Sequence, residues 1–282
     1  MKLCRYGKPG YEKPGMIDGE GKLRDLSKIV DNIGPNEISP RGLKMLTRLK
    51  PESLPLVNGT PRYGVPYVGI GKFVAIGLNY SDHAKEAGLP IPPEPIVFMK
   101  ATTCISGPSD DVIQPRNSTK LDWEIELGVV IGSTVRYVDE EAALNHVAGY
   151  CIVNDVSERS FQMATSQWDK GKGFDSAGPI GPWLVTTDEI TDPQTLDMKL
   201  EVNGKTMQSG NTRTMVFNVA KLISHVSQYM TLLPGDVIAT GTPPGVGLGM
   251  KPPVFLKPGD VMRLTIAGLG EQKQRVVAYS AS

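Results

Sequence analysis

Two glutamates, Glu124 and Glu126, stand in the segment DWEIELGVVIG (122–132), whose remaining residues are mostly apolar or small. Side chains of a strand alternate between its faces. Both glutamates and Asp122 therefore share one face, while Trp123, Ile125, Leu127, Val129 and Ile131 make the other wholly apolar. Two carboxylates so placed stand roughly 7 Å apart, twice the strand rise, and repel unless a cation or water lies between them. The segment reads either as an edge strand with a solvated polar face or as a strand presenting two metal ligands. A third carboxylate, Asp155, ends the apolar run CIVND (151–155). Alone it reads as an Asx-turn or a helix cap. Joined to Glu124 and Glu126, it completes a hard oxygen set, without cysteine, of the kind that suits Mg2+ or Mn2+.

His83 and Glu86 are spaced i, i+3 on the predicted helix SDHAKEAG, so they share a helix face and can hydrogen-bond. An imidazole oriented by a carboxylate is a general base near neutral pH; the plainer alternative is a solvated surface helix. The segment lies between a strand and a proline-rich stretch, as a lid would. Arg159, Gln162, Lys170 and Lys172 form either an exposed basic loop or a clamp for a substrate carboxylate. ATGTPPGVG (239–247) offers close backbone approach to an anion and the hydroxyls of Thr240 and Thr242. It is neither a GxGxxG nor a P-loop pattern, so a nucleotide site is not indicated.

These residues need a scaffold, and the composition bounds it. With 30 basic and 30 acidic residues, the chain lacks the positive footprint of a nucleic-acid binder. No apolar run reaches the roughly 18 residues of a membrane span, and MKLCRYGKPGYEKPG lacks the apolar core of a signal peptide. Cys4, Cys104 and Cys151 are far apart and odd in number, which argues against a zinc knuckle or a disulfide framework and for a cytoplasmic protein with reduced thiols. The 31 glycines and 23 prolines punctuate many short apolar runs, and helices are few, so the class is α+β with β dominant. Residues 1–68 read as a small N-terminal α+β domain: short strands, then a helix in SPRGLKML with Ser39 as N-cap and Pro40 at N1. Residues 69–282 carry the chemistry. Ser81 is the expected N-cap of SDHAKEAG and Gly88 its stop. Residues 160–185 have no clean period and read as a long structured loop. Asn203-Gly204 closes a hairpin, and Val219, Leu222, Ile223, Val226, Tyr229 and Met230 line the apolar face of a helix.

The stretches GLNYSDHAKE, DWEIELGVVIG, GYCIVNDVSERSFQ, KGFDSAGPIGPW and GDVIATGTPPGVG together resemble the fumarylacetoacetate hydrolase family, in the family's usual order from about Gly71 onward. The resemblance implies a mixed β-sandwich roll, a homodimer, and Mg2+ or Mn2+ held by Glu124, Glu126 and Asp155. It makes His83 and Glu86 a catalytic pair on a lid, Lys172 a catalytic cation, and Arg159, Gln162 and Thr242 substrate contacts. Lys172 is preferred to Lys170 because Gly-Phe-Asp follows it. The implied reaction is hydrolytic C–C cleavage of a small 2,4-dioxo (3-acylpyruvate-type) acid, releasing pyruvate. Residues 1–27 resemble a bacterial branch that includes 2,4-diketo-3-deoxy-L-fuconate hydrolases of sugar-acid breakdown and members labelled ureidoglycolate lyase. A ureidoglycolate lyase, or an oxaloacetate decarboxylase or isomerase on the same metal site, is the alternative enzyme. A metal-free binding module with a solvated acidic strand face is the alternative of another class.

Overall fold

The computed structural model describes residues 1–88 and 90–280. Its short apolar runs become the strands of two main mixed sheets. The larger runs, in spatial order, Leu23–Asp25, Lys13–Ile17, Lys2–Tyr6, Gly178–Thr186, Val147–Asn154, Ile125–Ile131, Val237–Ala239, Phe73–Gly77 and Ile96–Lys100, with Ile105–Ser106 beside Gly178–Thr186. The second runs Lys205–Asn211, Asp197–Val202, Val261–Ile266, Gly270–Ala278 and Val112–Gln114. Asp197–Val202 alternates between buried and more accessible positions, which leaves one face of this sheet toward water. Helices are short, and Val219–Ser227 spans only nine residues. The architecture is β-dominant α+β, with sheets that do not close into a barrel.

Ile125–Ile131 lies inside the large sheet, between Val147–Asn154 and Val237–Ala239, and all seven of its residues are buried. An edge strand with a solvated face is therefore excluded. The strand also begins later than the alternation predicts. Leu121–Asp122 pairs separately with Ser157–Glu158, and the chain bends at Trp123 and Glu124 before entering the sheet. The antiparallel register sets Ile125 against Asn154 and Glu126 against Val153, so the start of one strand lies beside the end of the other. Glu124 and Asp155 are joined there by a backbone hydrogen bond of 2.9 Å.

The large sheet curls. Ile96–Lys100 stands four strand positions from Val147–Asn154, about 19 Å across a flat sheet. Yet the Lys100 ammonium is 2.5 Å from Asp155, just beyond that strand's end. Only a rolled sheet brings these atoms together.

Buried amides stitch the two sheets. Gln272 donates to Ile152 O at 2.7 Å, and Asn154 donates to Gln274 at 3.1 Å. Gln208 accepts from Ile125 N–H at 3.0 Å and donates to Thr242 Oγ1 and Pro243 O at 2.7 Å each. Each amide satisfies backbone groups that the strand ladders leave over.

Ser39 caps the helix Pro40–Leu46 as predicted, and Asn203 and Gly204 both take positive φ in the hairpin turn. The helix expected in SDHAKEAG spans Ser81–Ala87, but its N-cap is Tyr80, so Ser81 is the first helical residue and not the cap; Gly88 ends it in the left-handed conformation. The aperiodic stretch after Glu158 is not a loop throughout. It holds two one-turn helices, Arg159–Gln162 and Asp169–Lys172, and then the strand Gly178–Thr186. Single turns are too short to show a period. Tyr229 falls beyond the end of its helix and is exposed, unlike Val219, Leu222, Ile223 and Val226.

Gln208→Leu removes the partner of Ile125 N–H and of two acceptors. It should lower the urea midpoint by an amount corresponding to about 1–3 kcal/mol for each buried group left unpaired. An unchanged midpoint would show that the stitching carries no stability.

Candidate active site

Strand ends and loops bring the acids to one place. Oxygens of Glu124, Glu126 and Asp155, all buried, lie within 4.8 Å of one another. The Lys172 ammonium is 2.7 Å from both Glu124 Oε2 and Asp155 Oδ2. Lys172 is thus buried among the acids, whereas Lys170 is exposed. Arg159 reaches Glu124 at 2.6 Å, Asp122 at 2.9 Å and Gln162 Oε1 at 2.9 Å. Gln162 thereby spends its acceptor on Arg159 and keeps its amide hydrogens for the cavity.

The electrostatics divide the two glutamates. Burial works against ionisation of Glu124, but Lys172 and Arg159 overcome it and hold the carboxyl at about 2. Among the described residues, Glu126 has no cation in salt-bridge contact, and its carboxylate takes one hydrogen bond, from Gly241 N–H at 2.8 Å. Burial, then the charges of Asp155 and Glu124, push its pKa well above the carboxylate range. Lys172 feels the converse: burial opposes its charge, yet Asp155 and Glu124 keep it firmly protonated. A buried carboxylate without a cation, facing two others across less than 5 Å, is a site short of positive charge. The donor set fits a divalent hard cation, with Glu124, Glu126 and Asp155 as its holders.

His83 and Glu86 form their pair, Nδ1 to Oε2 at 3.2 Å. Glu86 also accepts from Gly245 N–H at 3.1 Å. The helix Ser81–Ala87 is thus tied to the glycine-rich loop. Gly245 has φ +103°, and a Cβ there would lie 2.0 Å from Met207 O, so only glycine lets this N–H reach Glu86.

His83, Glu86, Glu124, Glu126, Arg159, Gln162, Lys172 and Thr242 all line one cavity of about 610 Å3. Asp155 touches it only through Lys172 and the acid cluster. Thr242 gives its hydroxyl hydrogen to Ile125 O at 2.8 Å and accepts from Gln208, so that hydrogen is not available to an anion. Thr240 likewise donates to Leu127 O, 2.9 Å away, and serves the strand, not the cavity.

Three residues escaped the sequence reading. Asp122 accepts from Gly247 N–H, Leu248 N–H and Arg159, tying the glycine-rich loop to the clamp. Lys100, fully buried, pairs with Asp155 and donates to the Lys172 carbonyl. Gln208 fixes the start of the acidic strand. Asp122 shared a face with the glutamates, and that was a usable signal. The other two act from 55 or more residues away and left none.

The profile of the fumarylacetoacetate (FAA) hydrolase C-terminal domain matches residues 72–277. The chain belongs to the fumarylacetoacetate hydrolase family. Solved family structures match it along its whole length. A fumarylacetoacetate hydrolase from Exiguobacterium antarcticum is 37% identical, covering 99% of this chain and 100% of its own, with TM-score 0.89. A maleylpyruvate hydrolase from Sphingobium sp. SYK-6, solved with manganese(II) and pyruvate, is 29% identical, covering 99% and 100%, with TM-score 0.82. A 5-carboxymethyl-2-hydroxymuconate delta-isomerase from Mycobacterium smegmatis is 30% identical, covering 100% of both chains, with TM-score 0.78. The family therefore spans hydrolases and isomerases, and its fold here carries an acid cluster able to hold a divalent metal.

The raised Glu126 makes a signed prediction. The metal-free fold favours the protonated form of Glu126, whereas in the unfolded chain this carboxyl ionises in the ordinary carboxylate range, so the stability it contributes is full below that range and falls as pH rises from there toward the raised folded value. A divalent ion displaces the proton and removes the penalty. Millimolar Mg2+ or Mn2+ should raise Tm more at about pH 8 than at about pH 5.5, and Glu126→Gln should shrink the shift. A metal-induced rise in Tm that is independent of pH and of this substitution would count against the site.

Proposed function

We propose that this chain is a divalent-metal-dependent hydrolase that cleaves a C–C bond in a 2,4-dioxo acid of the 3-acylpyruvate type and releases pyruvate. One observation carries the reading: the acid cluster, its buried lysine and the imidazole–carboxylate pair all border the same cavity. A Mg2+ or Mn2+ ion bound by Glu124, Glu126 and Asp155 would supply Lewis acidity toward the carboxylate and 2-oxo group of the substrate.

The remaining roles belong to the chain. Arg159, fixed by Asp122, Gln162 and Glu124, keeps one N–H on each terminal nitrogen for the substrate carboxylate, with the Gln162 amide beside it. His83, oriented by Glu86, takes a proton from water, and the hydroxide adds to the 4-oxo carbon. The C3–C4 bond then breaks, the acyl half leaves as a carboxylic acid, and the electron pair passes to the pyruvate enolate. Lys172, kept charged by its acidic neighbours, faces that developing negative charge. The proton held on His83 returns to C3 and completes pyruvate. Thr242 completes the substrate-binding wall.

Decarboxylation of oxaloacetate, which passes through the same enolate, or isomerisation of a related oxo acid through the enolate of the intact substrate, is the second reading; the likeness to an isomerase supports it. We further propose a cytoplasmic homodimer acting on a small oxo acid, without nucleic-acid or membrane partners. The balanced charge speaks against a nucleic-acid partner, and no described helix is long and apolar enough to cross a membrane.

A panel of 3-acylpyruvates, oxaloacetate and ureidoglycolate, assayed with Mg2+, Mn2+ and chelator, tests the reading. Pyruvate release from acylpyruvates should dominate and vanish with chelator. His83→Ala should lower hydrolysis by about 10²- to 10⁴-fold and oxaloacetate decarboxylation far less, because that reaction needs no attacking water. Equal losses would overturn the assigned roles, and glyoxylate from ureidoglycolate as the main product would overturn the reaction.

A further inference from the structure

The acid cluster is paired with one cation that stands outside the cavity. Lys100 ends the strand Ile96–Lys100, is 2% exposed, and has its ammonium 5.7 Å from the centre of the buried Phe73 ring. Among the described residues, the cavity is lined by Arg159 and Lys172 but not by Lys100. The Lys100 ammonium meets Asp155 Oδ1 at 2.5 Å and donates to the Lys172 carbonyl. The Lys172 ammonium holds the other oxygen, Asp155 Oδ2, at 2.7 Å. Asp155 is therefore gripped on both oxygens, and one of the two cations that grip it borders the cavity while the other does not.

A lysine in this position is a poor way to build stability. Apolar side chains of similar volume often match or better a buried ion pair, and Phe73 already supplies an apolar surface beside it. Nor does its charge help a cation to bind. It sits on a carboxylate that a divalent ion would share, and it repels that ion. What the charge alters is the sign of the occupied site. Asp122, Glu124, Glu126 and Asp155 face Lys100, Arg159 and Lys172. With all three of these cations in place, a divalent ion turns the site net positive. With a neutral residue in place of Lys100, the same ion would bring it only to neutrality.

We propose that Lys100 is a positioning residue that sets this charge through Asp155: it weakens the hold of the acids on a divalent cation and strengthens the hold of the occupied site on an anionic guest. This rests on the metal-site part of the proposed function and not on its substrate. Magnitudes separate it from a plain supporting role. Loss of a contact that merely orients a metal ligand costs about 10- to 100-fold in metal affinity. Two unit charges about 4 Å apart, at an effective dielectric of about 20, alter an equilibrium about a thousandfold. As an orienting contact Lys100 raises metal affinity, as a like charge it lowers it, and the charge is the larger effect.

The test is calorimetric titration of the metal-free protein with Mn2+, and then of the Mn2+-loaded protein with oxalate, in the unmodified, Lys100→Met and Lys100→Gln chains. Methionine fills the space without charge or donor; glutamine is also neutral but keeps N–H donors. Both variants should bind Mn2+ about tenfold tighter and, once loaded, bind oxalate about tenfold more weakly. Weaker Mn2+ binding in the variants, or oxalate affinity that does not fall, overturns the inference and leaves Lys100 a supporting contact. So does a Lys100→Gln chain that behaves as the unmodified protein while Lys100→Met departs from it, because the hydrogen bond and not the charge would then be at work. If Lys100→Met does not fold, Lys100→Gln decides alone: tighter Mn2+ with weaker oxalate supports the inference, and any other pair of shifts overturns it. Turnover of 3-acylpyruvates is measured in parallel. An unmodified protein that binds no Mn2+ defeats the metal site and this inference with it. Opposed shifts without pyruvate release defeat the hydrolase reading and leave the role of Lys100 standing.

Discussion

Charge balance in a dry interior governs this molecule. Asp122, Glu124, Glu126 and Asp155 are buried within reach of three buried cations among the described residues, Lys100, Arg159 and Lys172. One negative charge is left over, and it falls on Glu126, the member that no cation touches. In a medium of low dielectric an unpaired charge is costly, so the group either keeps a proton or shares a cation. A divalent ion would do more than cancel the excess: it would leave the cluster with one net positive charge, the right sign to receive an organic anion. The same imbalance that makes the free protein uncomfortable makes it receptive.

Holding like charges together requires a scaffold that cannot relax, and the two sheets provide it. The antiparallel register places Glu124 and Asp155 side by side at the ends of neighbouring strands. The roll of the large sheet brings Lys100 to them from four strands away. Gln208 locks the first residue of the acidic strand to the second sheet and to the loop that carries Thr242. Removing any of these supports would leave the acids free to move apart toward water.

The acids, the imidazole pair and the arginine–glutamine clamp were legible because their chemistry is local: strand periodicity, helical i, i+3 spacing, or neighbouring positions in one loop. The choice of Lys172 came from its sequence context, and the cavity makes it spatially plain. Lys100 and Gln208 were not legible. Lys100 ends an ordinary apolar strand, and Gln208 sits in a hairpin arm that looks like any polar edge; each gains its meaning from curvature and sheet packing, which no short window contains. The late start of the acidic strand was hidden for a related reason. Alternation continues through Asp122 to Ile131, and only long-range pairing of Leu121–Asp122 with Ser157–Glu158 interrupts it. The misplaced cap at Ser81 is a smaller matter, a one-residue shift at a helix end where a tyrosine serves without a side-chain bond.

Glu86 is shared. Its carboxylate holds both the His83 ring and the Gly245 amide of the opposing wall. Were the helix Ser81–Ala87 to move off that wall, the carboxylate would lose its amide anchor and the imidazole a fixed support. If the proposed reaction holds, the seating of this helix and the aim of its imidazole would be a single variable, so that a base would be well oriented only in an enclosed chamber.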